Sequence, residues 1–60
     1  MKLRELREDL ALSQGELAER AGVALDTVYR LERPENTGAH PRTIRKLAAA
    51  LGVEPRELRR

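Results

Sequence analysis

The chain has no cysteine, tryptophan or phenylalanine, and only one histidine, one serine and one tyrosine. Without cysteine there is no disulfide framework and no thiolate metal site, and His40 alone cannot form a zinc site. One serine and one histidine leave almost no material for a nucleophile and its base, and 60 residues rarely enclose a pocket that excludes water. We therefore expect no enzyme, no metal and no cofactor, and we start from a binding module.

Long apolar runs are also missing. Charged residues make up 37% of the chain, and no apolar segment approaches the roughly 18 residues that a membrane-spanning helix needs. No signal peptide is visible, because no basic segment precedes a long apolar stretch. Together with the lack of cysteine, these features predict a cytoplasmic protein without a membrane partner.

Arginine is abundant and unevenly distributed, since it accounts for ten of the 12 basic residues. Residues 1–29 carry four basic and six acidic side chains, a net charge of −2, whereas residues 30–60 carry eight basic and four acidic ones, a net charge of +4. Arginine forms bidentate bonds with phosphates and base edges, so this asymmetry fits a polyanionic partner. Surfaces rich in arginine and glutamate also occur in thermostable helical proteins, so the charge alone does not decide the function.

Apolar residues recur at helical spacing, and no segment alternates with a period of two. Leu3, Leu6 and Leu10 stand at i, i+3, i+7 and are expected on the inner face of a first helix. The pattern predicts an all-α fold, a compact bundle of five short helices. We expect these helices at about 2–9, from 13 to 22, about 25–32, from 41 to 52, and from 55 onward.

The ends of the second and third helices carry clear signals. Ser13 and Glu16 have the S-x-x-E spacing of a capping box, and Gly22 can end a helix in the left-handed conformation without steric cost. Pro34 prevents the third helix from continuing. Two short helices joined by a tight glycine turn define a helix-turn-helix unit over residues 13–32.

Around this unit the sequence resembles the Cro and phage-repressor (XRE-like) family of helix-turn-helix proteins. The matching segments are Ser13-Gln14-x-Glu16-Leu17-Ala18-x-x-Ala21-Gly22-Val23 and Thr27-Val28-Tyr29-x-Leu31-Glu32, with Leu3-Arg4-x-Leu6-Arg7 before them and Leu47-Ala48-x-Ala50-Leu51-Gly52-Val53 after them. The resemblance covers nearly the whole chain. It implies a lambda-repressor-like fold, a single domain over residues 1–60, and a recognition helix over about 25–32.

The resemblance also implies a function. It predicts sequence-specific binding to double-stranded DNA by a transcriptional regulator, with repression as the expected role and the third helix in the major groove. The residues implied at the DNA are Gln14, Ala24, Leu25, Asp26, Thr27, Tyr29, Arg30, Arg33 and Arg42. Arg7 and Glu32 match a buried ion pair between the first and third helices of some relatives. One recognition helix reads only a few base pairs, so we expect a homodimer on a two-fold site.

A few residues depart from the family pattern. Ala24 stands where serine or threonine usually caps the recognition helix, and the loop 33–40 is a residue or two longer than in compact repressors. Asp26 has two interpretations: it supplies the cap that Ala24 lacks, or it accepts a hydrogen bond from a cytosine amino group while Leu25 packs on a thymine methyl. The whole fold also has an alternative use as a protein-interaction module, such as an antitoxin or a bridging factor.

Other residues have structural alternatives to a DNA contact. Gln14 and Arg30 can be ordinary solvated helix residues, and Tyr29 fits the bundle edge as well as a phosphate contact. His40 is expected to be a plain loop residue, with a phosphate contact as the alternative. Two sets remain: a solvated basic face of Arg45, Lys46, Arg56, Arg59 and Arg60, and apolar residues that are either core or dimer contact, Leu51, Val53 and Leu58.

Overall fold

The computed structural model describes residues 1–36 and 38–59, and within these ranges it contains five α-helices and no β-strand. This confirms the prediction of an all-α fold. The helices are α1 (Leu3–Asp9), α2 (Gln14–Ala21), α3 (Leu25–Leu31), α4 (Pro41–Leu51) and α5 (Pro55–Arg59). No helix in the described part of the chain is long and apolar enough to span a membrane. Thr37 of the expected loop and Arg60 of the expected basic face lie outside the described residues.

Local hydrogen bonds determine where α2 begins and ends. The Ser13 hydroxyl oxygen accepts a hydrogen bond from the backbone N–H of Glu16 at 3.0 Å, and the Glu16 carboxylate accepts one from the backbone N–H of Ser13 at 2.8 Å. These two bonds form the capping box, and the bond from the Ser13 backbone lowers the pKa of Glu16. Gly22 follows the helix with φ of 69°, a conformation that a Cβ atom would strain.

His40, which was expected to be a plain loop residue, caps α4. Pro41 occupies the first helical position, and Nδ1 of His40 accepts a hydrogen bond from the backbone N–H of Arg42 at 3.1 Å. The expectation of a plain loop residue was therefore wrong. Its position directly before a proline at a helix start was a usable signal, but histidine is not among the residues preferred as helix caps.

The core is formed by buried side chains from all five helices and by Leu12. α2 packs against α3 and α4, and α4 packs against α5. The backbone N–H of Lys2 donates to the carbonyl oxygen of Leu58 at 3.0 Å, so the start of α1 is joined to α5. The largest fully buried side chains are Leu3, Leu17, Val28, Ile44, Leu47 and Leu58.

The residues considered for a C-terminal dimer contact belong to this core. Leu51 and Leu58 are buried, and Val53 is half-buried and packs against the core. Of the two alternatives, core and dimer contact, the structure therefore supports the core for these residues. The described residues of the expected basic face are all exposed: Arg45, Lys46, Arg56 and Arg59.

The turn between α1 and α2 corrects one prediction. α1 ends at Asp9, so Leu10 follows the helix instead of completing its inner face, and 49% of Leu10 is exposed. Ala11 then adopts a left-handed conformation with φ of 56°, and Leu12 enters the core. Placing Leu10 inside was wrong because the helical period was extended past the end of the helix.

Candidate nucleic-acid interface

α2, the connection 22–24 and α3 form one rigidly packed unit. The backbone N–H of Val23 donates to the carbonyl oxygen of Ala18 at 3.0 Å, which folds the connection back on α2. Val28 and Leu31 are buried and hold α3 against the body of the protein. The side of α3 opposite these two residues consequently faces solvent.

The exposed side of α3 carries four of the residues that the resemblance implies at DNA. Leu25 and Tyr29 are 54% and 55% exposed, and Asp26 and Arg30 are also exposed. Thr27 is half-buried at the edge of this side. Leu25 and Tyr29 are one helical turn apart and together form an exposed apolar patch, a feature that is typical of contact surfaces.

The start of α3 has no side-chain cap. Ala24 is the N-cap residue in an extended conformation, and no side chain bonds the free N–H groups of the first turn. The interpretation of Asp26 as the missing cap was wrong. Asp26 instead forms an ion pair with Arg30 one turn later, with 3.0 Å between Oδ2 and Nε.

Arg7 and Glu32 form a partly buried ion pair that joins α1 to the end of α3. Nε of Arg7 donates to Oε2 of Glu32 at 2.6 Å, and Nη2 donates to Oε1 at 3.0 Å. Nη1 of Arg7 also donates to the carbonyl oxygen of Leu12 at 2.6 Å. The two side chains are only 11% and 6% exposed. Among the described residues no buried side-chain polar atom lacks a hydrogen-bond partner.

The pKa values in this pair shift in opposite directions. Burial alone raises the pKa of Glu32, but the hydrogen bonds from Arg7 and Gln14 and the charge of Arg7 outweigh it and hold that pKa below its ordinary value. The hydrogen bond to Glu32 raises the pKa of Arg7. Both groups therefore stay charged.

Gln14 belongs to the same network. Nε2 of Gln14 donates to Oε1 of Glu32 at 2.9 Å, so the first residue of α2 is bonded to the residue that follows α3. A glutamine side chain has a second N–H and a carbonyl oxygen in addition to the N–H used here. Gln14 can thus support the end of α3 and still offer a donor to a phosphate.

A cleft of about 450 Å³ opens beside this network. Three arginines and one glutamate contribute to its walls, so its charge balance is positive. The guanidinium carbon of Arg33 lies 5.9 Å from the centre of the Tyr29 ring, within cation–π range. The lining residues are Arg4, Arg7, Gln14, Tyr29, Glu32, Arg33 and Pro34.

The cleft brings together some of the expected residues and leaves another apart. Gln14, Tyr29 and Arg33 share it, whereas Arg42 does not line it and is exposed in the first turn of α4. Arg4 lines the cleft although it was not among the expected residues. Its spacing of three residues from Arg7 on α1 was the available signal.

An exposed third helix, supported by a packed second helix and flanked by a basic cleft, defines the class of helix-turn-helix DNA-binding domains. A family model described as helix-turn-helix matches residues 3–58. No curated protein and no solved structure gives a significant match. The chain belongs to this helix-turn-helix family of the Cro and phage-repressor (XRE-like) type. It is accordingly a DNA-binding regulatory domain.

Proposed function

We propose that this chain is a sequence-specific transcriptional repressor that inserts α3 into the major groove of double-stranded DNA. The supporting observation is the exposed side of α3, which carries Leu25, Asp26, Tyr29 and Arg30 while Val28 and Leu31 anchor the helix. An α-helix fits the major groove, where each base pair presents a distinct pattern of donors and acceptors. The protein would act where bacterial or phage DNA is found, in the cytoplasm.

The proposed DNA contacts fall into two groups within a helix-turn-helix unit over residues 13–32 of a single domain over 1–60. One group faces base edges from the start and outer side of α3. It consists of Ala24, Leu25, Asp26, Thr27 and Arg30. The second group holds phosphates on either side of the groove and consists of Gln14, Tyr29, Arg33 and Arg42.

The basic cleft supports the phosphate contacts. Gln14 has a second side-chain N–H for a phosphate oxygen, and the guanidinium of Arg33 lies 5.9 Å from the centre of the Tyr29 ring at the same cleft. Arg42 lies in the first turn of α4, whose start is fixed by the His40 cap. Side chains that are held in place before binding lose less conformational entropy when they contact DNA.

We propose that two copies bind a two-fold site. A helix as short as α3 reaches only a few base pairs, so a second recognition helix is needed for useful specificity. Leu51 and Leu58 are in the core, so the contact between copies has to use another surface. Occupying an operator is enough to block transcription, which is why repression is the simplest regulatory role.

Selection of binding sites from random duplexes tests the proposal, because it reports binding, half-site sequence and half-site spacing together. Enrichment of an inverted repeat is expected. Failure to enrich any sequence would contradict sequence-specific binding, and a single unrepeated site would contradict the dimer.

The salt dependence of binding tests the phosphate contacts. The slope of log K against log salt should be about −0.9 for each phosphate contact. Arg42→Ala should weaken binding to all duplexes and flatten the slope by about one contact. Arg56→Ala removes the same charge from the exposed basic face on α5 and should leave the slope nearly unchanged. Equal slopes for the two variants would remove Arg42 from the phosphate group.

A protein-interaction module is the second candidate, because Leu25 and Tyr29 present apolar surface on α3. Apolar anchors of this kind are typical of protein contacts. A salt-dependent gel shift with duplex DNA alone favours DNA binding. Tight binding to an acidic protein without DNA affinity favours the antitoxin or bridging role.

A further inference from the structure

One ion pair lies entirely on the exposed side of α3. Nε of Arg30 is 3.0 Å from Oδ2 of Asp26, and the two side chains are 62% and 75% exposed. Arg30 is the one basic residue of α3, since the helix runs Leu-Asp-Thr-Val-Tyr-Arg-Leu. A direct arginine contact from α3 to a base therefore has to come from Arg30.

The ion pair with Asp26 involves one side of the Arg30 guanidinium. A guanidinium has five N–H donors, and Nε carries one of them. The Asp26 carboxylate lies on the Nε side of the guanidinium, so the two terminal nitrogens, Nη1 and Nη2, remain for another partner. Guanine presents two acceptors in the major groove, O6 and N7, which match an end-on guanidinium in a bidentate contact.

We infer that Asp26 positions Arg30 so that its terminal nitrogens read a guanine, one in each half-site. The inference rests on the proposed function, because it requires α3 in the major groove. In this interpretation Asp26 keeps its place in the base-facing group of α3 but acts as a positioning residue, through Arg30, without bonding to a base itself. The other interpretation, in which Asp26 itself reads a cytosine, is one of the outcomes that the test distinguishes.

Two electrostatic effects favour this arrangement over a free arginine. An exposed ion pair contributes little in water, and the partial loss of water on contact with DNA strengthens the attraction between Asp26 and Arg30. The carboxylate is also repelled by phosphates, which disfavours contact of Arg30 with the backbone of unrelated DNA. Asp26 thus lowers non-specific affinity and raises discrimination at one base pair.

The test compares base preferences of three variants with those of the unaltered chain, using selection from random duplexes followed by binding to single-substitution duplexes. Arg30→Ala should remove one guanine preference of roughly fivefold to 150-fold, which corresponds to about 1–3 kcal/mol of discrimination. Asp26→Asn should weaken the same preference by about threefold or more and tighten binding to non-cognate DNA. Glu8→Gln is the matched control, because Glu8 forms an equally spaced exposed pair with Arg4 on α1. It should leave the preference unchanged, and all three variants should unfold at nearly the same urea concentration.

Each other outcome contradicts a defined step. If Arg30→Ala weakens binding to all sequences alike, Arg30 contacts phosphate and the inference is wrong. If Asp26→Asn changes cytosine to adenine at a separate position and leaves the guanine preference intact, Asp26 reads a base and does not position Arg30. If the unaltered chain binds no duplex, or binds all duplexes equally, the proposed function itself fails. The unaltered chain alone gives this result, so it is distinguished from a failure of the inference, which only the variants reveal.

Discussion

Replacing Arg7 with alanine should destabilise the protein more than any other single arginine substitution in α1. The change removes three hydrogen bonds, two to Glu32 and one to the carbonyl oxygen of Leu12. It leaves the carboxylate of Glu32 nearly buried with Gln14 as its remaining side-chain donor. Removing one partner of a fully buried ion pair costs about 3–5 kcal/mol, because the other charge stays desolvated. This range is an upper bound here, since the pair is partly buried and water can reach Glu32 from the cleft.

The magnitude is large for this chain. A protein of 60 residues is expected to have a free energy of unfolding of about 3–9 kcal/mol. Arg7→Ala should therefore leave the protein marginally folded or unfolded, as measured by circular dichroism during urea unfolding. Arg4→Ala is the matched control on the same helix, because the Arg4–Glu8 pair is exposed. Its effect should stay within about 0.5 kcal/mol.

A double substitution distinguishes loss of the pair from loss of packing. Arg7→Met combined with Glu32→Leu removes both charges and keeps apolar volume, so it should be clearly more stable than Arg7→Ala alone. A loss below about 1 kcal/mol for Arg7→Ala would refute the reasoning, since it would mean that water or a rearranged side chain compensates Glu32.

Two further predictions concern glycine and pH. Gly15→Ala should raise the free energy of unfolding by about 0.4–1 kcal/mol, because the added Cβ at this helical position meets only the Ser13 hydroxyl, at 3.9 Å. Gly22→Ala should lower the free energy of unfolding by about 1–2 kcal/mol. No atom lies within 4 Å of the added Cβ there, but the backbone φ of 69° is strained for alanine. The lowered pKa of Glu32 means that its stabilising contribution is complete above the unfolded-state pKa of about 4.3 and is lost as the pH falls through the folded-state pKa. Urea unfolding at a series of pH values should thus show a shallower acid loss for Glu32→Gln, and parallel curves for the two proteins would contradict the assigned cause.

The helical architecture could be predicted because its signals are local. The capping box at Ser13, the left-handed Gly22 and Pro41 in the first turn of α4 each act within a few residues of their own position. The turn after α1 was not predictable in the same way. Ala11 adopts a left-handed conformation that alanine seldom takes, and no residue type in the sequence signals it.

The site could be predicted less completely, because its contacts join distant parts of the chain. Residues of α3 were identified by their positions in the helix-turn-helix pattern, and their exposure follows from the burial of Val28 and Leu31. The cleft between Arg4 and Arg33 depends on how α1 packs beside the end of α3, which spacing along the sequence does not describe. Asp26 and Arg30 have the i, i+4 spacing of an ion pair, but a cap was equally compatible with that position.

The Arg7–Glu32 pair connects the stability of the fold with the geometry of the interface. Glu32 accepts hydrogen bonds from both Arg7 and Gln14, so one carboxylate joins α1, the start of α2 and the end of α3. Gln14 is a proposed phosphate contact, and its orientation depends on this carboxylate. A substitution at Glu32 that left the protein folded would still release Gln14 and so weaken phosphate binding without removing a DNA-contacting group. The pair thus joins three elements around the proposed phosphate contact Gln14, which an apolar pair of similar volume could not do although it could support the core.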